Sequence, residues 1–343
     1  MSSLPENDPI PPCDPGTPAQ TLSADPRLEE NGPLPGAELF PASFSAADDA
    51  EPPYEQPLAE LPLFHSFSQP EFSPPARIPH LGHLLLLLVL ATLGLLGAAL
   101  LTRSALHFHL FGISTPQQAA DDIHYALGFQ VANYLIAFCA CLLVFPLVWQ
   151  KSFMAGLQWN GAAALRLRRR LLSAALLCVV LAIADGLLFR EHADAPIDKI
   201  FRAPGAAWLL FAFGVTCAPF FEEIVFRGFL LPGLCTAWDW AIERSTGKAP
   251  LPLDAEGHPQ WSLFAMAVGS LFTSIPFALM HGEQNGYALG PFLLLLCVSL
   301  VLCWARLSAR SLAASVLVHA SYNFLLFSFM MLGTGGFKHL DKM

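Results

Sequence analysis

The chain has 343 residues, of which 54% are hydrophobic and only 13% are charged, and its mean hydropathy is +0.50. This composition is typical of a membrane protein that crosses the bilayer several times, and it excludes an ordinary soluble enzyme. The formal net charge of -9 argues against nucleic acid as a partner.

The first 80 residues differ from the rest of the chain. They hold 18 of the 29 prolines and 13 acidic residues, against two arginines. Such a segment cannot bury enough apolar surface to offset the entropy lost on ordering, so we predict a disordered acidic tail. It lacks a basic region followed by an apolar core, so it does not resemble a cleavable secretory signal, and we expect it to stay in the cytosol.

From Leu81 onward, about seven apolar runs are long enough to cross a bilayer as helices, for which about 20 residues are needed. We place these spans near 81–101, 124–148, 171–189, 206–231, 261–281, 289–305 and 312–332. The longest connection, 232–260, contains four prolines and mixed charge, and we predict an irregular loop there. The predicted fold class is an all-α, polytopic transmembrane helix bundle with a disordered N-terminal tail.

Four regions follow from this pattern. They are the Pro-rich acidic tail 1–80, the first two transmembrane helices in 81–149, a membrane core in 150–332 and a short tail 333–343. The eight cysteines do not suggest a further domain, because six lie within apolar runs and no CxxC occurs. They are interpreted as small core residues and not as a disulfide or zinc framework.

Basic residues predict the orientation in the membrane. Lys151 and the segment Arg166–Arg170 lie between the second and third spans, which the positive-inside tendency assigns to the cytosol. The same threading places Arg244, Lys248, Arg306 and Arg310 inside, but it leaves five basic residues outside. We therefore predict a multi-pass integral protein of a bacterial inner membrane with a cytosolic N-terminus.

Three charged residues interrupt the fourth apolar run: Glu222, Glu223 and Arg227. A charged side chain at the centre of a spanning helix costs roughly 2.5 to 3.5 kcal/mol on insertion scales, so these residues should be paired or line a wet cavity. Residues four apart share a helix face, so Glu223 can pair with Arg227 while Glu222 points elsewhere. Pro219 is expected to bend the helix or free a carbonyl nearby. The alternative is a helix end in the head-group region.

Two further polar insertions offer side chains suited to the same chemistry. Phe277 and His281 stand at the end of the fifth span, and a histidine beside a carboxylate can hold and polarise water. His319 and Asn323 lie four apart in the seventh span, where both can offer N–H donors to one developing oxyanion. Taken singly, either histidine could instead be a core residue bonded to a neighbouring carbonyl.

In chain order these residues read EExxxR, FxxxH and HxxxN, and over about residues 150–332 the chain resembles the CPBP family of intramembrane proteases. This family joins the type II CAAX prenyl endopeptidases to bacterial bacteriocin-processing and self-immunity proteins, labelled Abi. The resemblance implies that Glu222 and His281 activate the attacking water and that His319 and Asn323 form the oxyanion hole. It also implies that Glu223, Arg227 and Phe277 support the site.

The function expected from this resemblance is that of a membrane endopeptidase without a cofactor. Its partners would be the lipid bilayer and a peptide or membrane-anchored protein substrate, with no nucleic acid. Two alternatives stay open: a zinc-dependent membrane metalloprotease, since two histidines and a glutamate can bind zinc, and a non-enzymatic binding or transport protein to which Asp185 could contribute. One difficulty is that Glu222 and His281 fall toward opposite membrane faces, unless the fourth helix runs long or the fifth is broken near Pro276.

Overall fold

A computed structural model describes residues 77–189, 201 and 205–338 of the chain. The predicted disordered tail lies outside the described residues except for 77–80, and so do the last five residues of the predicted C-terminal tail. The helices are α1 (Leu81–His107), α2 (Pro116–Asp121), α3 (Ile123–Trp149), α4 (Phe153–Gly156), α5 (Gly161–Arg166), α6 (Arg168–Leu188), α7 (Ala206–Val215), α8 (Cys217–Glu223), a π-helical segment (Ile224–Leu230), α9 (Leu231–Thr246), α10 (Leu263–Met280), α11 (Leu289–Ala309) and α12 (Leu312–Gly333), with a 3₁₀ turn at Leu110–Gly112.

Seven of the described helical stretches are long and apolar enough to cross a membrane, which confirms the predicted transmembrane bundle. They are α1, α3, α6, the continuous stretch Ala206–Thr246, α10, α11 and α12. Their outer faces remain apolar; Leu85 and Leu100 on α1, for example, are 63% and 67% exposed. Hydrocarbon is the natural solvent for such faces, because a helix satisfies its backbone hydrogen bonds internally.

Close backbone contact holds α1 against α3. A Cβ added at Gly94 would lie 2.7 Å from Oδ1 and 2.8 Å from the backbone oxygen of Asn133, so only glycine fits at this point. Small residues at helix contacts are the usual way for membrane helices to gain van der Waals packing in lipid, where there is little hydrophobic drive for association. Near the C-terminal end of α3, Phe145 and Trp149 form a buried aromatic cluster with Phe229 of the π-helical segment.

The fourth span is longer than predicted. It runs for 41 residues, from Ala206 to Thr246, through α7, α8, the π-helical segment and α9. The irregular loop predicted at 232–260 is therefore wrong for 232–246 and holds only for 247–260. Pro232 does not end the helix, which continues from the π-helical segment into α9 through this residue.

The two ends of the bundle bring together different parts of the chain. At the end that carries Lys151 and Arg166–Arg170, which we call the basic end, the connections are joined by Arg77–Glu243 at 2.8 Å, Asn160–Ser311 at 2.8 and 3.0 Å, and Arg310–Asp254 at 3.2 Å. At the opposite end, Trp208 contacts Phe337 with ring centroids 5.0 Å apart, and a Cβ at Gly290 would lie 2.7 Å from Asp185 Oδ1.

Asp239 of α9 fixes the start of α10. The backbone N–H of Ser262 donates to Asp239 Oδ2 at 2.8 Å and the Ser262 hydroxyl donates to Oδ1 at 2.6 Å. The same hydroxyl oxygen accepts from the N–H of Ala265 and so caps the helix. Because α10 ends at the candidate site, this contact sets the position of a site element from its far end.

We expect Asp239→Ala to lower the free energy of unfolding by about 1.5 to 3 kcal/mol, because Asp239 is only 5% exposed and its loss leaves buried donors without a charged acceptor. Thermal or denaturant unfolding of the purified protein in detergent measures this change. Glu256→Ala, at an exposed position of the 247–262 loop, is the matched control and should unfold like the wild type. Equal stability of the two variants would contradict the capping role.

Candidate active site

A cavity of about 380 Å³ lies between α7, α8, α11 and α12, beside the C-terminal end of α10. Glu222, His281, His319 and Asn323, the four residues predicted to be catalytic, all line it, together with Phe277. Most of the other lining side chains are apolar, and Gln284 and Asn285 come from the connection after α10. The structure therefore gathers the three motifs of the sequence around one cavity.

The long fourth span explains how Glu222 and His281 meet. Glu222 lies near the middle of the 41-residue stretch, and His281 follows the last residue of α10, which continues unbroken through Pro276. Glu222 Oε2 lies 3.9 Å from His281 Nε2 and 3.9 Å from His319 Nε2. Of the two resolutions that the sequence left open, the long fourth helix is the one that the structure adopts.

Glu223 forms a fully buried ion pair with Arg227, at 2.8 Å between Oε1 and Nη1. The same Oε1 is 2.9 Å from His319 Nδ1. Arg227 also donates through Nη2 to the backbone oxygen and hydroxyl of Ser299, at 3.0 and 2.6 Å, and its Cζ lies 4.5 Å from the centre of the Phe277 ring. Burial of a charge in hydrocarbon is costly without such partners, so this network explains how the membrane core tolerates the EExxxR motif.

The hydrogen bonds of the two histidines fix which nitrogen faces the cavity. His281 Nδ1 lies 2.9 Å from the backbone oxygen of Phe277, which can only accept, so Nδ1 carries a proton. His319 Nδ1 donates to the Glu223 carboxylate in the same way. Both Nε2 atoms are thereby directed at Glu222. Nε2 of His319 can act as a donor only when the ring carries both protons.

A break in the fourth span positions Asn323. The backbone departs from helical geometry at Thr216, with φ -112° and ψ -70°, between α7 and α8. Asn323 Nδ2 donates to the backbone oxygen of Gly214, in the last turn before this break, at 2.7 Å. A primary amide has two N–H groups, so one remains for a ligand in the cavity. Pro219, from which the sequence predicts a bend, lies just after the break.

The π-helical segment Ile224–Leu230 follows the two glutamates directly. Such segments are rare and often mark functional sites, because the wider turn changes the direction of the side chains that follow. Here the segment contains Arg227, so the wider turn accommodates the residue that pairs with Glu223.

The donor set does not fit a three-ligand zinc site. Among the described residues, only Asp254, Glu256 and His258 bring three possible ligand atoms within 4.8 Å of one another. Glu222 Oε2 lies 3.9 Å from His281 Nε2 and 3.9 Å from His319 Nε2. Tetrahedral zinc with bonds of about 2.0 to 2.1 Å places its nitrogen ligands about 3.3 Å apart.

Residues 204–325 match a protein-family model described as type II CAAX prenyl endopeptidase, Rce1-like. The motif-bearing segment is similar to this family. The matched residues, about a third of the chain, include all three motifs and confirm the resemblance of the sequence to CPBP proteases. The CAAX-protease segment indicates a membrane endopeptidase, a hydrolase that acts on a protein substrate in a lipid bilayer. Neither a curated protein nor a solved structure matches the chain significantly.

Arg306 is a neighbour of the candidate site that the sequence pattern did not indicate. The threading placed this residue on the cytosolic side just after a span ending at 305, whereas α11 continues to Ala309 and Arg306 is 2% exposed. Arg306 does lie toward the basic end, but its burial was not expected, because a basic residue at the end of an apolar run is normally topogenic. A usable signal was present: Val298, Leu302 and Arg306 follow each other at four-residue spacing, and all three are buried.

The buried pair predicts that the two adjacent glutamates differ sharply in their effect on stability. Glu223→Gln leaves the charge of Arg227 buried without a carboxylate and should cost about 3 to 5 kcal/mol of unfolding free energy. Glu222→Gln, in which no hydrogen bond shorter than 3.5 Å is lost within the described residues, should change it by less than about 1 kcal/mol.

Unfolding in detergent micelles, followed by circular dichroism, compares the two isosteric variants directly. The adjacent glutamate serves as the control for the loss of one carboxylate charge. Similar destabilisation by both substitutions would show that Glu223 is not the structural member of the pair.

Proposed function

We propose that this protein is an intramembrane endopeptidase in which Glu222 and His281 activate a water molecule for attack on a peptide carbonyl. The observation that carries the proposal is the 3.9 Å separation between Glu222 Oε2 and His281 Nε2 inside the cavity. Two acceptors at this distance are too far apart to bond directly but are well placed to share the two protons of one bridging water. Glu222 then accepts a proton as the water attacks.

His319 and Asn323 are proposed to stabilise the oxyanion that this attack creates. His319 donates through Nε2 in its doubly protonated form, and Asn323 donates through the N–H that Gly214 does not use. One preorganised donor of this kind is worth about 2.7 to 4 kcal/mol of transition-state stabilisation. The proton taken by Glu222 is returned to the leaving nitrogen, so the products are a carboxylic acid, which then loses its proton to solvent, and an amine, and no covalent enzyme intermediate forms.

Glu223, Arg227 and Phe277 support this machinery without touching the reacting atoms. Glu223 fixes the ring of His319 through Nδ1, and Arg227 fixes Glu223. The Phe277 ring packs over the Arg227 guanidinium, while its backbone oxygen fixes the tautomer of His281. One residue therefore supports both the buried network and the water-activating histidine.

The substrate class that we propose is the one in the family description, a prenylated protein cleaved near its C-terminus. An apolar groove of about 500 Å³ adjoins the cavity and shares Leu326 and Phe327 with it. It continues along the outer half of α12 past Phe329, Met330 and Gly333. A hydrocarbon chain in this groove would hold the scissile bond beside Glu222.

We expect Glu222→Gln and His281→Ala to abolish cleavage, and Asn323→Ala to lower kcat by about 10² to 10³-fold, because each removes a group that acts on the water or the oxyanion. Purified variants are assayed on a fluorogenic peptide with and without a farnesyl group. Glu283→Gln, an exposed glutamate two residues after His281, is the matched control and should retain wild-type activity.

The same variants identify natural substrates without a guess at their sequence. Mass spectrometry compares protein N- and C-termini in native host membranes carrying the wild type or Glu222→Gln at equal levels. Termini that disappear with the substitution are products of the enzyme. Near-normal cleavage by well-folded Glu222→Gln would refute the mechanism, and identical termini would favour a binding or transport role.

The zinc alternative is tested separately. We expect the purified enzyme to keep its activity in the presence of a strong zinc chelator, because Glu222 Oε2 lies 3.9 Å from each histidine Nε2, farther than the ligands of a tetrahedral zinc ion lie from one another. Metal analysis accompanies the assay. Stoichiometric zinc, with activity lost to chelator and restored by the metal, would reverse the assignment.

A further inference from the structure

One backbone carbonyl in the π-helical segment has no partner within its own helix. The N–H of Leu231, which in an α-helix would bond to the oxygen of Arg227, instead donates to the oxygen of Phe226. The next residue that could reach the Arg227 oxygen is Pro232, which has no N–H. Arg227 is fully buried, so this oxygen cannot turn to solvent. A buried carbonyl in hydrocarbon without a donor is strongly unfavourable.

Arg306 supplies the missing donor from another helix. Its Nε donates to the Arg227 oxygen at 3.3 Å. Its Nη2 donates to Gln158 Oε1 at 2.7 Å and lies 3.5 Å from the Leu157 oxygen, in the segment between α4 and α5. Each of these partners is a neutral oxygen, so within the described contacts Arg306 has no carboxylate partner. Its burial is therefore better explained by the acceptors that it satisfies than by ion pairing.

We propose that Arg306 is a positioning residue of the active site, required because Pro232 cannot complete the π-helical segment. The Arg227 backbone is fixed by Arg306, and the Arg227 side chain fixes Glu223, which in turn fixes His319. This role rests on the proposed function as far as activity is concerned, whereas the order of the π-helical segment can be measured without any substrate.

The test is a double-mutant cycle between Arg306→Gln and Pro232→Ala in the full chain. Pro232→Ala restores an N–H at the one position from which the helix could serve the Arg227 oxygen. Hydrogen exchange followed by mass spectrometry reports the opening of peptides covering residues 224–231. We expect Arg306→Gln to speed this exchange by about tenfold or more, as loss of a buried hydrogen bond predicts, and Pro232→Ala to reverse most of the change.

The coupling between the two substitutions decides the result. Pro232→Ala could stabilise any helix, so its effect must be larger in the Arg306→Gln background than in the wild type or in Arg310→Gln. Arg310→Gln is the matched control. It also removes an arginine one helical turn later, but Arg310 binds Asp254 at the surface. Equal effects of Pro232→Ala in all three backgrounds, or unchanged exchange in Arg306→Gln, would overturn the proposal.

Folding yield replaces exchange if Arg306→Gln alone does not give a monodisperse protein. Pro232→Ala must then recover the folded protein in the Arg306 variant, and failure to do so would also overturn the proposal. In the assay on a farnesylated peptide, Arg306→Gln should lower kcat by about tenfold with little change in KM, and Pro232→Ala should restore kcat. Coupling between the two substitutions in hydrogen exchange, together with no cleavage by the wild type, would remove the proposed function. The positioning role of Arg306 would then remain.

Discussion

A single buried oxygen atom, Oε1 of Glu223, organises the centre of this protein. It accepts from Arg227 at 2.8 Å and lies 2.9 Å from His319 Nδ1, so it joins the fourth span to the last one. Charge in the membrane interior is stable only as part of such a network. The direction in which His319 faces the cavity, and the presence of Arg227 over the Phe277 ring, both depend on this atom. Glu222, the neighbour that we propose to be reactive, has only the two 3.9 Å contacts with histidine among the ion pairs of the described residues.

The Glu223–Arg227 spacing illustrates what the sequence could predict. Apolar run length placed the seven spans, since hydropathy is a property of local sequence. Four-residue spacing paired Glu223 with Arg227, and the order of the motifs indicated the family. What could not be predicted came from contacts between distant segments. The π-helical segment and the contact of Asn323 with Gly214 involve donors from helices far away in the sequence, such as Arg306 for the Arg227 oxygen.

In the proposed mechanism, Asn323 combines structural support and chemistry in one side chain. One of its N–H groups stabilises the Gly214 carbonyl beside the helix break, and the other is free for the cavity. Phe277 combines its backbone and ring in a similar way. A compact membrane site has few polar groups available, because each one costs free energy in lipid. Sharing of this kind keeps the number of polar groups small, and it couples the order of the helices to the geometry of the reaction.

The cavity and the contact between Arg77 and Glu243 lie toward opposite ends of the bundle. Its lining includes Gln284 and Asn285 in the connection after α10, which lies at the opposite end from the basic end. The described chain begins at Arg77, which contacts Glu243 at the basic end. Whichever way the bundle inserts, these two places face different sides of the membrane. A partner that binds near Arg77 and a peptide that enters the cavity past Gln284 therefore come from different sides.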